Sequence, residues 1–141
     1  MNPVQAAIAY PITAVVFLAL DAVWLFTMAD RLYRPAIGHL MADKPSLAPA
    51  ALFYVLYIAG IVFFAVAPAL ESRRPMSALG LGALLGLLAY ATYDLTNQAT
   101  LKDWPWQITA ADLCWGAFVT GVSALVACKG TLWIQGMLDK S

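Results

Sequence analysis

The sequence predicts an all-α integral membrane bundle of four transmembrane helices, and three observations predict it. Of 141 residues, 62% are hydrophobic and only 11% are charged, where a soluble domain carries roughly a quarter charged. A chain this short cannot bury that much apolar surface in a water-soluble core. The apolar residues also fall in four long runs, each close to the roughly 20 residues that a helix needs to cross the bilayer's hydrocarbon.

Taken in order, the first span covers about 4–29. Pro3 suits a helix start, and Pro11 is tolerable in a membrane helix that it kinks. Asp30-Arg31 closes this span. The apolar run is too long for a signal-peptide core, and no Lys or Arg precedes it, so it reads as a retained span. The segment from Arg31 to Pro49 is the longest connection, broken by Pro35 and Pro45. Its Leu32, Tyr33, Ile37, Leu40 and Met41 suggest a short helix lying in the interface. The second span covers about 50–70, with Pro68 near its end. The third covers about 76–100 and the fourth about 108–129, by the same length criterion. Trp104 and Trp106, in the turn between the last two, fit an interfacial aromatic belt. Residues 1–141 read as a single four-helix transmembrane domain.

Composition excludes several partners. Eight basic and eight acidic residues give zero net charge, so no basic footprint for nucleic acid is present. Cys114 and Cys128 are the only cysteines. They are too far apart, with no further ligands nearby, for a metal site or a disulfide framework. With four spans both termini share one side, here side A. Lys and Arg then divide evenly. Arg73, Arg74, Lys129 and Lys140 lie on side A, and Arg31, Arg34, Lys44 and Lys102 on side B. The positive-inside rule therefore leaves orientation open.

Charge inside a membrane is costly, roughly 2.5–3.5 kcal/mol for a central carboxylate on insertion scales. Three aspartates nevertheless lie within spans: Asp21, Asp94 and Asp112. Counting residues to the nearest span end at 1.5 Å each places them about 12, 9 and 6 Å from the B boundary. Trp24, Tyr54, Tyr57, Tyr90, Tyr93, Asn97 and Trp115 share that layer. On the third helix, Gly82, Gly86, Tyr90, Tyr93, Asn97 and Thr100 fall within one face, with Asp94 at its edge. On the fourth, Asp112, Gly116, Val119 and Ser123 share a face. No Lys or Arg lies deep in any span. These residues predict a polar pocket open to side B that holds a proton, a small cation, or a ligand's amine or hydroxyl groups. Arg31, Arg34 and Lys102 stand at its rim.

Plainer readings stand beside this one. Thr109-Ala110-Ala111-Asp112 reads as a capping box. Asp94 and Asp21 could serve only to hydrogen-bond between helices. The aromatic residues commonly act as packing and interface anchors. Gly82 and Gly86 form a GxxxG pair, a candidate homodimer contact that specifies no function. Asp21-x-x-Trp24 and Asp112-x-x-Trp115 look alike on helices of opposite direction, as chance or as convergence on one pocket.

The chain resembles a known family in several motifs. They are Leu20-Asp21-x-x-Trp24-Leu25, Tyr33, Phe53-Tyr54, Pro68-Ala69, the run from Gly86 through Tyr90, Tyr93-Asp94-Leu95-Thr96-Asn97 to Thr100, and Asp112-x-x-Trp115-Gly116. That family is the predicted bacterial membrane proteins of domain of unknown function 2177. The resemblance implies a four-helix protein of the bacterial inner membrane and supplies no activity, cofactor or catalytic residue. The residues themselves favour a small transporter-like or ligand-binding membrane protein with the bilayer as its surroundings. An enzyme on a lipid-soluble substrate and a structural or accessory subunit are the alternatives.

Overall fold

The computed structural model describes residues 1–141. It contains four long helices: α1 Pro3–Leu40, α2 Leu47–Ser72, α3 Pro75–Thr100 and α4 Trp106–Leu138, all long and apolar enough to cross a membrane. Even a helix of 26 residues, as α2 and α3 are, extends about 39 Å and outreaches a hydrocarbon layer of about 30 Å. The chain is an all-helical membrane bundle.

The termini of these helices have local causes. At the start of α1, Asn2 accepts a hydrogen bond from the Gln5 backbone N–H at 2.8 Å, and the Gln5 side chain accepts one from the Asn2 N–H at 3.1 Å. This reciprocal cap satisfies two donors that a helix start leaves orphaned. At the other end, α4 runs on past Lys129 to Leu138, further than its apolar stretch predicts. Gln5 there donates to Gln135 at 2.9 Å, tying the beginning of α1 to the end of α4.

The expected loop after Asp30 is not a loop. Helix α1 continues through a π-helical turn, Ala29–Tyr33, into Arg34–Ile37 and a final 3₁₀ turn, Gly38–Leu40. A second π-helical turn interrupts α2 at Val62–Val66. Both turns end two residues before a proline, Pro35 and Pro68. Proline has no N–H for the carbonyl four residues back, and its ring presses on that carbonyl. Widening the preceding turn relieves the clash without breaking the helix. Pro35 therefore does not end α1. Pro11 is carried within an α-helical segment.

Side-chain size then decides packing. The buried residues of α3 are Ala78, Gly82, Gly86 and Asp94, which with half-buried Tyr90 form a row at four-residue spacing. They face the α4 row Asp112, Gly116, Thr120 and Ala124, which is buried too. Interlocking such rows is the commonest way two helices pack. A Cβ on Gly82 would stand 2.8 Å from the Thr120 carbonyl oxygen and 2.9 Å from the Gly121 Cα. One on Gly86 would run into the Gly116 carbonyl, and one on Gly116 into the Tyr90 ring. The two backbones approach that closely because no side chains intervene. Gly82 and Gly86 are consumed inside the chain, which overturns their expected role as contacts of a homodimer.

Helix α1 packs against α4, and Phe17 of α1 joins Tyr57, Ile61, Val66 and Val119 in the core. The outer faces are largely apolar: Phe26, Leu52, Phe63 and Trp133 are all exposed. In water such a surface would be a liability; against lipid tails it is matched.

The α3–α4 turn corrects two further expectations. Helix α4 begins at Trp106 after Pro105, with no side-chain cap, so Thr109 and Asp112 do not form a capping box. Thr109 instead accepts from the Trp104 indole at 3.1 Å and donates to Gln98 at 2.8 Å, while Gln98 donates to the Trp104 carbonyl at 2.5 Å. This network buries Trp104 under the turn, and only Trp106 faces outward as a belt residue would.

Candidate functional site

Asp21 lies on the inner face of α1, and its buried carboxylate is met from two sides. The Tyr54 hydroxyl of α2 donates to Oδ2 at 2.5 Å, and the Trp115 indole of α4 donates to Oδ1 at 3.2 Å. Asp112 is met in a related way. The Tyr33 hydroxyl donates to its Oδ1, and Tyr33 in turn accepts from the Trp24 indole at 2.9 Å. Hydrogen bonds to a charged acceptor are roughly twice as strong as neutral ones, so donors of this kind are what a buried carboxylate requires.

The two Asp-x-x-Trp motifs thus interlock. Because α1 and α4 are antiparallel, Asp21 lies level with Trp115, and Trp24 lies level with Asp112. The two indoles stack, 4.5 Å between centroids and 8° between planes. Of the two readings of the motif pair, convergence on one pocket describes the geometry.

Tyr33 reaches this place through the π-helical turn. At 100° per residue, Trp24 and Tyr33 would stand about 180° apart on an unbroken α-helix. A turn that takes in one extra residue sets everything after it back by about 100°, which leaves the two about 80° apart. Tyr33 then faces the bundle and not lipid. The same rotation leaves Arg34 outside, paired with Asp30 at 2.8 Å on the exposed side. A pair so open contributes little.

These groups enclose a cavity of about 330 Å³ lined by Asp21, Trp24, Leu25, Tyr33, Phe53, Tyr54, Ala89, Tyr90, Tyr93, Asp112 and Trp115. Its mouth is framed by Leu25, Phe53 and Tyr93, all exposed. No Lys, Arg or His lines it. A shallower depression of about 640 Å³ lies outside, between α1 and α2, and shares Leu25 and Tyr54 with the cavity.

Seven of the ten residues singled out by sequence therefore share one cavity: Asp21, Trp24, Tyr54, Tyr90, Tyr93, Asp112 and Trp115. Tyr57 lies beneath it, buried, with its hydroxyl 2.8 Å from the Thr120 hydroxyl. Asn97 is half-buried and does not line the cavity. Asp94 does not line it either. It lies on the buried α3 packing row, as its last member, and not at the edge of a cavity-facing surface, and it is completely buried. Neither of its carboxyl oxygens meets a donor, while Asp112 stands within hydrogen-bonding reach on α4.

Tyr33 is the residue that sequence reasoning placed elsewhere, in the connection after the first span. A straight-helix count points it away from Trp24. Pro35 two residues later was the signal for the turn that brings it back. The rim charges Arg31, Arg34 and Lys102 are absent from the lining. No group of His, Cys, Asp and Glu is placed to hold a metal ion.

Comparison with known proteins bears on identity and not on activity. No curated protein and no solved structure matches the chain. A family model does, described as "Predicted membrane protein (DUF2177)", over residues 6–129. That match reaches all four helices and covers every residue of the cavity, and the chain belongs to this family of membrane proteins.

Proposed function

We propose that residues 1–141 act as one four-helix unit of a bacterial inner membrane, a small transporter-like ligand-binding protein whose cavity takes a small organic cation. The observation that carries this reading is the cavity lining. Asp21 and Asp112 are both buried in its wall, and no basic side chain lies beside them. Buried charge in a membrane calls for a compensating charge, and a cation is one that the cavity can admit. The walls suit an ammonium group as well. Trp24, Trp115, Tyr33, Tyr54, Tyr90 and Tyr93 surround the carboxylates, and aromatic faces attract cations by about 0.5–2 kcal/mol each. The remaining lining, Leu25, Phe53 and Ala89, suits an apolar body on the same ligand. The depression that shares Leu25 and Tyr54 offers such a ligand a way in from the lipid side.

Trp24 and Trp115 make occupancy visible. Titration of the protein in nanodiscs with benzyltrimethylammonium is expected to change tryptophan fluorescence saturably. Asp21→Asn is expected to raise Kd about tenfold, equivalent to about 1.4 kcal/mol. A titration that never saturates, or one unchanged in Asp21→Asn, contradicts the reading.

A further inference from the structure

We propose that Asp94 and Asp112 form a carboxylic acid–carboxylate pair holding one exchangeable proton behind the cavity, and that a cation arriving at Asp112 displaces this proton. The displacement rests on the cation reading above; the pair itself does not.

Burial and register carry the pair. Asp94 is 0% exposed, and neither oxygen has a hydrogen-bond donor. An ionised carboxylate in that position would forfeit its hydration with nothing in return. The α3–α4 rows fix what faces it. Gly82 meets Thr120 and Gly121, Gly86 meets Gly116 and Thr120, and Tyr90 meets Gly116. The next step along the row sets Asp94 against Asp112, the two within hydrogen-bonding reach. Two carboxylates in contact and away from water cannot both be ionised without a positive charge beside them, and one proton between them removes the conflict. Placed on Asp94, it gives Asp94 a donor aimed at Asp112. Asp112 stays ionised and accepts from Tyr33 as well.

No neighbouring element supplies a different answer. From α4 only Asp112 faces Asp94. From α1 the nearest titratable groups are Tyr33 and, across the cavity, Asp21. On α3 itself there are Tyr90 and Tyr93. The α2 tyrosines are engaged elsewhere, Tyr54 with Asp21 and Tyr57 with Thr120. No Lys, Arg or His is among these groups.

Asp112 belongs to both the pair and the cavity wall, which links proton to ligand. Before binding, Asp94 carries the proton and Asp112 the negative charge. A cation settling on Asp112 brings a positive charge to the pair, and the Asp94 O–H bond breaks. The proton passes by way of Asp112, which lines the cavity, to water, and its electron pair stays on Asp94. One positive charge enters and one departs, so the net charge of the site is the same before and after. The exchange then adds no net charge to a low-dielectric region.

Two measurements on protein in nanodiscs test this, and they fail separately. Infrared spectra at neutral pH are expected to show the C=O stretch of a protonated carboxylic acid, present in Asp21→Asn and lost in Asp94→Asn. Wild-type protein without that band, or Asp94→Asn retaining it, overturns the pair. The wild-type spectrum decides by itself should Asp94→Asn fail to fold. The second measurement adds benzyltrimethylammonium to weakly buffered wild-type protein. This cation has no proton of its own to give, so any released proton comes from the protein. About one proton per bound cation is expected, with Kd rising about tenfold per unit fall in pH, as reciprocal linkage requires. Binding without proton release overturns the exchange and leaves the cation reading standing. Absence of binding overturns the cation reading and the exchange together, while the infrared band still decides the pair.

Discussion

At Tyr33 a single hydroxyl serves two partners, accepting from Trp24 and donating to Asp112. Tyr33→Phe removes both bonds and leaves the Trp24 indole and an Asp112 oxygen unpaired. Losing a buried partner costs about 1–3 kcal/mol, so a clear drop in thermal stability is expected, together with weaker cation binding. Unchanged melting in Tyr33→Phe would mean that the network contributes nothing. Among the glycines the expectation is a contrast. Gly86→Ala places a methyl against the Gly116 carbonyl, whereas Gly80→Ala meets nothing within 4 Å. Overpacking costs about 1–3 kcal/mol, and Ala is the better helix former by about 1 kcal/mol. Gly86→Ala is therefore expected to melt lower than wild type, and Gly80→Ala level or higher. Equal melting points for the two would contradict the close approach of α3 and α4. At this scale the sequence was informative about which residues are costly to bury. It was less informative about direction. Asp21, Trp24, Asp112 and Trp115 announce themselves because charge and indole donors have no cheap place in a span. Asp94 was placed at the edge of a face, because the six positions read as one face included Asn97 and Thr100. The packing row of small residues, Ala78-Gly82-Gly86, points to Asp94 instead.

Among the elements, α1 departs most from what hydropathy alone describes. Hydropathy ends the span at Asp30, and nothing in a hydrophobic run says that a helix continues once it has left the apolar layer. The π-helical turns depend on a local steric event, proline against the carbonyl four residues back, so their signal lies in Pro35 and Pro68 and not in any periodicity. This has a consequence that deletion can read. Removing Leu32 from Ala29–Tyr33 returns the segment to ordinary α-helical winding and leaves the tyrosine eight residues after Trp24, about 80° from it as now. Helix content by circular dichroism and cation binding are both expected to be nearly unchanged, because the deletion removes only the extra residue that the π-helical turn accommodates. Lost affinity after this deletion would contradict the one-residue offset by which the π-helical turn places Tyr33. The end of α4 was illegible for a different reason. Lys129 and Gly130 look like a terminus, but Thr131 is buried and Gln135 is bonded to Gln5, contacts that only the folded bundle supplies.

For the whole molecule, topology does most of the placing. Four antiparallel helices put the ends of α1 and α3 and the beginnings of α2 and α4 at one membrane face, so residues distant in sequence share a depth. The chain then gathers its intramembrane acids into that half and leaves the other half apolar. Gly82 and Gly86 join α3 to α4 within one chain, so dimerisation through them is not expected. Cross-linking between two chains at α3 positions beside Gly82 would contradict that. The central claim is that the cavity binds its ligand by charge, and the two carboxylates in its wall make that claim separable from simple greasiness. The most direct measurement is calorimetric titration of the nanodisc-embedded protein with benzyltrimethylammonium and with its neutral isostere, neopentylbenzene. A saturable heat is expected for the cation and is lost in the Asp21→Asn, Asp112→Asn double variant, with no saturable binding of the isostere. Equal binding of the two compounds, or cation binding that survives the double variant, would contradict that claim.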